Sequence, residues 1–186
     1  MEIRRRRRRA RGRHDAGANA LLHVTANGQV STVVVFPVRP VTPPFPSLPN
    51  PFPMQAVPTA VTVGPDGAIY VGELTGFPFP VGGARIYRLA PGQPPEVYVQ
   101  GLTNIIDIAF DGAGNLYVLE IAKDSLLAPP FGALKRVSAG GGSIQTILDT
   151  GLFLPAGLAI GPDGAIYISN CGACAAGQGQ VLRVTP

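Results

Sequence analysis

The sequence predicts an all-β fold, a partial β-propeller of four-stranded blades, on three observations. One sixteen-residue pattern occurs three times, as Pro58–Glu73, Ile105–Glu120 and Pro155–Asn170, with Tyr70, Tyr117 and Tyr167 marking its register at spacings of 47 and 50 residues. A second pattern follows each copy, as Arg85–Leu89, Ala133–Val137 and Gln180–Val184, and its arginines Arg88, Arg136 and Arg183 stand 48 and 47 residues apart. Two independent markers therefore agree on one period. Between them, short apolar and β-branched runs are broken by Pro-Asp-Gly, Pro-Gly and Gly-Gly turn signals, the pattern of short strands joined by tight turns. A four-stranded unit recurring every 40–50 residues or so is the mark of a propeller blade.

The chain opens on Arg4–Arg9, six consecutive arginines, with Arg11, Arg13 and His14 behind them. No apolar core follows the basic run, so it is not a signal peptide, and no stretch of about 20 apolar residues predicts a membrane-spanning helix. Residues 1–14 read as a disordered, solvated tail. They carry eight arginines against one glutamate, whereas the whole chain carries only +4, so the predicted fold from Asp15 to Pro186 is mildly acidic. A basic tail can be a nucleic-acid arm, but no basic and aromatic residues interleave in the blades, and nucleic acid is not predicted as a partner.

Ala20–Val24 repeats the second pattern without the first before it, so Ala20–Phe36 reads as the second half of a blade. Pro37–Pro53 follows, with eight prolines in seventeen residues. Proline fixes φ and lacks an N–H, so this insertion is expected to run extended and to resist both helix and central strand. Full blades are expected over Val57–Leu102 and Thr103–Leu152, and a final blade, Pro155–Val184, lacks its fourth strand. In the first full blade the expected strands are Val61–Val63, Ile69–Val71, Arg85–Leu89 and Glu96–Val99. The turns Gly64–Gly67 and Gly161–Gly164 suit hairpins because proline presets one position while aspartate and glycine accept the bent ones. Three to three and a half blades make an arc, since about 4–8 normally close a ring. Either the chain is a piece of a longer protein or it closes by self-association through its exposed blade ends.

The segment Gly64–Leu89, with Thr103–Ala122 and Gly157–Asn170, resembles the ScyD/ScyE family, NHL-like propellers named for a cyanobacterial scytonemin-biosynthesis cluster. The loop Gly72–Pro80 (GELTGFPFP) is its most specific mark, and the resemblance covers Asp15 to Pro186. It implies a complete propeller about twice this length, often exported, and assigns no activity to particular residues.

An enzyme must be argued from the residues. In gluconolactonase-type propellers a divalent cation at the axis is held by Asn, Asp and Glu side chains, some just after the proline that opens a blade. Thr59, Ile106 and Ala156 stand there in this sequence, and none is a carboxylate or amide ligand. Asp107, one residue on, faces the channel in this reading, but its counterparts are Ala60 and Gly157. No metal and no cofactor are predicted. Glu73, Glu120 and Asn170 share one repeat position; each either pairs with an arginine at the Arg88, Arg136 or Arg183 position, caps a loop, or joins a ring of ligand-binding groups on one face. Paired carboxylates do acid–base work only when close together, and equivalent positions on different blades are too far apart. His14 and His23 offer no oriented base for a serine nucleophile. Cys171 and Cys174 are too few for a zinc site and lack a thioredoxin-like context; they form a small-loop disulfide or remain free thiols. Phe77 and Phe79 lie outside the blade pattern and form either an apolar docking patch or a lid against the proline-rich insertion.

The function expected is therefore binding or scaffolding, with an unknown small ligand or protein partner and no demonstrable catalytic site. Two alternatives stand beside it. One is a hydrolase-like or lactonase-like enzyme whose site needs further blades or a second copy. The other is a partner-binding module using the proline-rich loops.

Overall fold

A computed structural model describes residues 11–185, all in strands, turns and loops. The Arg4–Arg9 run lies outside the described residues.

Five antiparallel sheets follow one another along the chain. The first joins β1 (Arg11–Asp15), β2 (Ala20–Val24) and β3 (Val30–Val35); a hairpin of β4 (Arg39–Val41) and β5 (Phe52–Met54) follows. Two four-stranded sheets come next, β6 (Pro58–Val63) to β9 (Glu96–Leu102) with β7 (Ile69–Glu73) and β8 (Ala84–Leu89) between, then β10 (Ile105–Phe110), β11 (Leu116–Glu120), β12 (Ala133–Val137) and β13 (Ile144–Leu148). The last sheet is β14 (Gly157–Ile160), β15 (Ile166–Asn170) and β16 (Gln180–Val184). The all-β, four-stranded-blade reading holds, and the final blade has three strands.

Each blade is a meander whose strands pair with their sequence neighbours. The opening strands β6, β10 and β14 lie side by side, so the blades stack on a common inner edge. Blade faces carry the core. Tyr70, Ile86 and Val99 of one blade pack on Ile108, Leu116 and Val118 of the next, and Tyr117, Leu119 and Leu134 pack on Ile166 and Ile168 in the same way. Every such buried leucine or isoleucine is worth about 1.5–3 kcal/mol. Tyr70 and Tyr117 are thus inter-blade packing, whereas Tyr167, in the last blade, is only half-buried and lies outside these clusters.

Two expectations are corrected. Arg11–His14 are not part of a disordered tail: with Asp15 they form β1, in register with β2 from Arg11↔Val24 to Asp15↔Ala20. The half blade therefore has three strands. Backbone pairing decides this, helped by Gly12, whose Cα side faces Leu21 and Val61; the basic side chains hid the strand. The insertion is extended as expected but also pairs with itself, Arg39↔Met54 to Val41↔Phe52. Its prolines are tolerated because the ladder is only three residues long and has two strands, so most N–H positions face no partner.

The insertion is fastened by aromatic rings. Phe77 lies 5.2 Å, edge-on, from Phe52 and 6.4 Å from Phe45, with Phe79 6.2 Å away. The Gly72–Pro80 loop is therefore covered by the insertion, as in the lid alternative. At the two end blades, Val30 and Val35 of β3 are 61% exposed and Val181 of β16 is 74% exposed.

Candidate functional site

The repeat gives each blade two polar networks, and the site is found where one of them departs from pattern. In the first network, Asp66 in the turn between β6 and β7 accepts from the Ala68 N–H at 3.1 Å, from the Tyr70 hydroxyl at 3.2 Å and from Arg88 Nε at 2.8 Å. Asp163 does the same with Ala165, Tyr167 and Arg183. Arg88 and Arg183 are thus partners of the turn aspartates, while Arg136 has no carboxylate partner among the described residues; the alternative that these arginines pair with Glu73, Glu120 and Asn170 is corrected. In the middle blade the turn reads differently and Asp111 binds Asn115 instead.

The second network belongs to the residue ending the second strand. Glu120 is fully buried and accepts from the Thr103 N–H at 2.7 Å and from Lys135 at 2.9 Å. Asn170 accepts from the Phe153 N–H at 2.9 Å and donates to the Gly151 carbonyl at 3.2 Å. Each therefore fastens the linker that leads into its own blade. Asp107 is also a fastener: it accepts from Leu158 N–H at 2.8 Å and from Ile108 N–H at 2.9 Å, joining β10 to β14. Burial raises the carboxyls of Glu120 and Asp107, against the opposing pull of Lys135 and of those N–H groups respectively.

Glu73 breaks the pattern. It is 1% exposed and accepts no linker N–H. Tyr87 stands at the repeat position of Lys135, so the cation comes from elsewhere: Arg39 of β4 donates to Glu73 Oε2, and also to the Gly83 carbonyl at 2.9 Å. Three buried atoms at this junction have no partner, Glu73 Oε1, Arg39 Nε and the Tyr87 hydroxyl. Burial pushes the Glu73 carboxyl up to about 7, with Arg39 opposing. Burial also raises the Tyr87 hydroxyl, next to the charge of Glu73.

Beside the pair opens a cleft of about 660 Å³, walled by Arg39, Pro40 and Val41 on the insertion and by Gly83, Arg85 and Gln100 on the blade. A side chain at Gly83 would meet Pro80 Cγ at 2.5 Å and the Pro80 carbonyl at 2.9 Å, so this edge admits only glycine. Phe77 and Phe79 hold the insertion in place over the same blade and do not line the cleft.

The structure thus separates the sequence candidates. Glu120, Asn170 and Asp107 are bound to linker or neighbouring-strand N–H groups; Glu73 and Glu120 each keep one buried carboxylate oxygen without a partner, but Glu73 alone of the four is held by an arginine that lines the cleft. Sequence reasoning missed Arg39, Arg85 and Tyr87. Arg39 had a visible signal, being the only charged residue in Pro37–Pro53, and Tyr87 had another, as an aromatic where the next blade has lysine. Cys171 and Cys174 are joined, with Cα atoms 5.2 Å apart, in the loop after β15. Among the described residues no three His, Cys, Asp or Glu side chains gather as a cation site, and no helix is long and apolar enough to cross a membrane.

This geometry defines part of a β-propeller, with a polar cleft where an insertion meets one blade. No family model and no curated protein matches the chain. Among solved structures it is similar to a gluconolactonase from Xanthomonas campestris, with a TM-score of 0.66 and 15% identity over 96% of this chain and 55% of that one. A streptogramin B lyase gives 0.57 and 14% over 95% and 51%, and the virginiamycin B lyase of Staphylococcus aureus 0.54 and 20% over 91% and 50%. At these identities the likeness shows the fold alone, and the chain spans a little over half the length of these propellers.

Proposed function

We propose that this chain is the ligand-binding part of a β-propeller of the ScyD/ScyE type, exported, which holds a small polar molecule in the cleft between the proline-rich insertion and the β8–β9 edge. The observation that carries the reading is the departure of Glu73 from the linker-fastening role that Glu120 and Asn170 keep. A repeat position that no longer fastens its linker, and is supplied with an arginine from a segment outside the repeat, is where a propeller scaffold acquires specificity, since fold alone decides nothing about function. A buried polar atom left without a partner is costly, and a ligand or ordered water in the cleft would supply one to the Arg39 guanidinium that lines it. The joined cysteines agree with an oxidising compartment.

The test is a thermal-shift screen of polar metabolites followed by amide chemical-shift mapping. The reading expects a stabilising compound that perturbs the Gly82, Gly83 and Gly101 amides. A panel with no stabilising compound, or with shifts confined to other faces, would count against it.

A second reading is favoured by the Glu73 carboxyl. A carboxylate raised to about 7, one residue behind the Arg39 wall of the cleft, has the protonation behaviour of a general base. Lactones and cyclic esters are the substrates to try, and a slow turnover abolished by Glu73→Gln would move the account from binding to catalysis.

A further inference from the structure

Resting on the binding reading above, we propose that the cleft is an oxyanion subsite: Arg85, seconded by Arg39, receives the carboxylate or phosphate group of a small polar organic ligand whose body lies along Pro40 and Val41.

Charge is the first argument. Two guanidinium groups, Arg39 and Arg85, line the cleft, and Glu73 is the one carboxylate beside them. Arg88 has Asp66 and Glu96, and Arg183 has Asp163. Arg85, half-buried, has no carboxylate within 4.0 Å among the described residues. An arginine kept partly out of water without a carboxylate in contact is costly, and its planar fork of donors matches an oxyanion in a bidentate pair.

An orphaned donor is the second argument. Arg39 Nε is a buried donor without an acceptor on a residue that lines the cleft, and the same guanidinium already donates to Glu73. An incoming oxyanion supplies an acceptor to this guanidinium, with the Gln100 amide as a further donor lining the cleft. A cation would meet the two guanidiniums, and the carboxylate it needs is taken by Arg39. The pairing of Glu73 with Arg39 then has a role in the free protein: it neutralises Arg39 while the subsite is empty, so the ligand competes with Glu73 for that guanidinium.

The experiment titrates the full chain with inorganic phosphate and, separately, with succinate. Calorimetry gives affinity, and the amides of Gly83 and Gly101 localise binding, so that anions collected by the Arg4–Arg9 run are not counted. The two titrants distinguish a phosphate from a carboxylate ligand. Saturable binding by at least one is expected, weakened at least tenfold by Arg85→Gln, partly kept by Arg85→Lys, tightened severalfold by Glu73→Gln and unchanged by Arg183→Gln. Absence of saturable shifts at Gly83 and Gly101 with both anions, or affinity unaltered by Arg85→Gln, overturns the proposal. If neutral or cationic compounds from the screen bind there while both anions fail, the oxyanion assignment falls and the binding reading stands. If nothing of any charge binds, both fall.

Discussion

Arg39 and Glu73, 34 positions apart in sequence, form an ion pair at the junction of the proline-rich hairpin and the first complete blade. The pair is the only salt bridge that ties the insertion to the blades among the described residues. Its buried member cannot remain charged cheaply without the arginine. Removing Arg39 as Arg39→Gln should therefore destabilise the protein by about 3 kcal/mol at pH 9. At pH 5 the cost should be small, because Glu73 then takes up a proton instead. The double variant Arg39→Gln/Glu73→Gln should recover most of the loss, and a double-mutant cycle in urea at both pH values measures it.

The protonation of Glu73 gives a stability slope of definite sign. Its carboxyl titrates near 7 in the folded protein against 4.5 as an unperturbed group. The folded chain thus holds a proton that the unfolded chain has lost across that interval. The stability this contributes is complete below about 4.5, falls as pH rises, and is gone above about 7, an effect on the order of 3 kcal/mol. Glu120 and Asp107, also raised by burial, act in the same direction. Denaturation midpoints from pH 4 to 8 should fall, and Glu73→Gln should flatten the part of the slope that belongs to Glu73.

The fasteners give the opposite kind of variant. Glu120→Ala leaves the Thr103 N–H and the Lys135 ammonium without their buried acceptor, a loss of about 2–3 kcal/mol. Asn170→Ala frees only a neutral bond to Phe153 and should lose about 1 kcal/mol. Thermal melts rank the two, and neither substitution should alter ligand affinity.

The exposed valines of the end blades predict self-association. Val30 and Val35 on one end and Val181 on the other occupy faces that, between blades, are covered by the next sheet. Light scattering should show mass rising with concentration for this chain, and Val30→Lys with Val181→Lys should return it to the monomer mass. A monomer at every concentration would mean that these faces do not meet in a second copy.

Much of the fold was legible because the blade repeat is written in residues that the backbone and the inter-blade core require: the turn aspartates, the tyrosines beside them and the arginines that bind both. The partner of Arg88 was misread because Glu73 is nearer to it in sequence than Asp66, and only the strand register, Tyr70 opposite Arg88, brings the turn aspartate to it. β1 was hidden because its pairing is a backbone property and its side chains are basic. The site was half legible. Glu73 stood out by repeat position, yet its difference from Glu120 depends on Arg39, which lies in the insertion, where no periodicity says what it will touch.

The most direct test compares two residues that the repeat makes equivalent. Phosphate affinity should be read at the Gly83 amide in the parent chain, in Glu73→Gln and in Glu120→Gln, each alongside a thermal melt. The account predicts that Glu73→Gln tightens binding severalfold and keeps the fold, whereas Glu120→Gln lowers the melting temperature and leaves affinity unchanged. Equal effects of the two substitutions on affinity would contradict the claim that Glu73, through Arg39, governs the cleft.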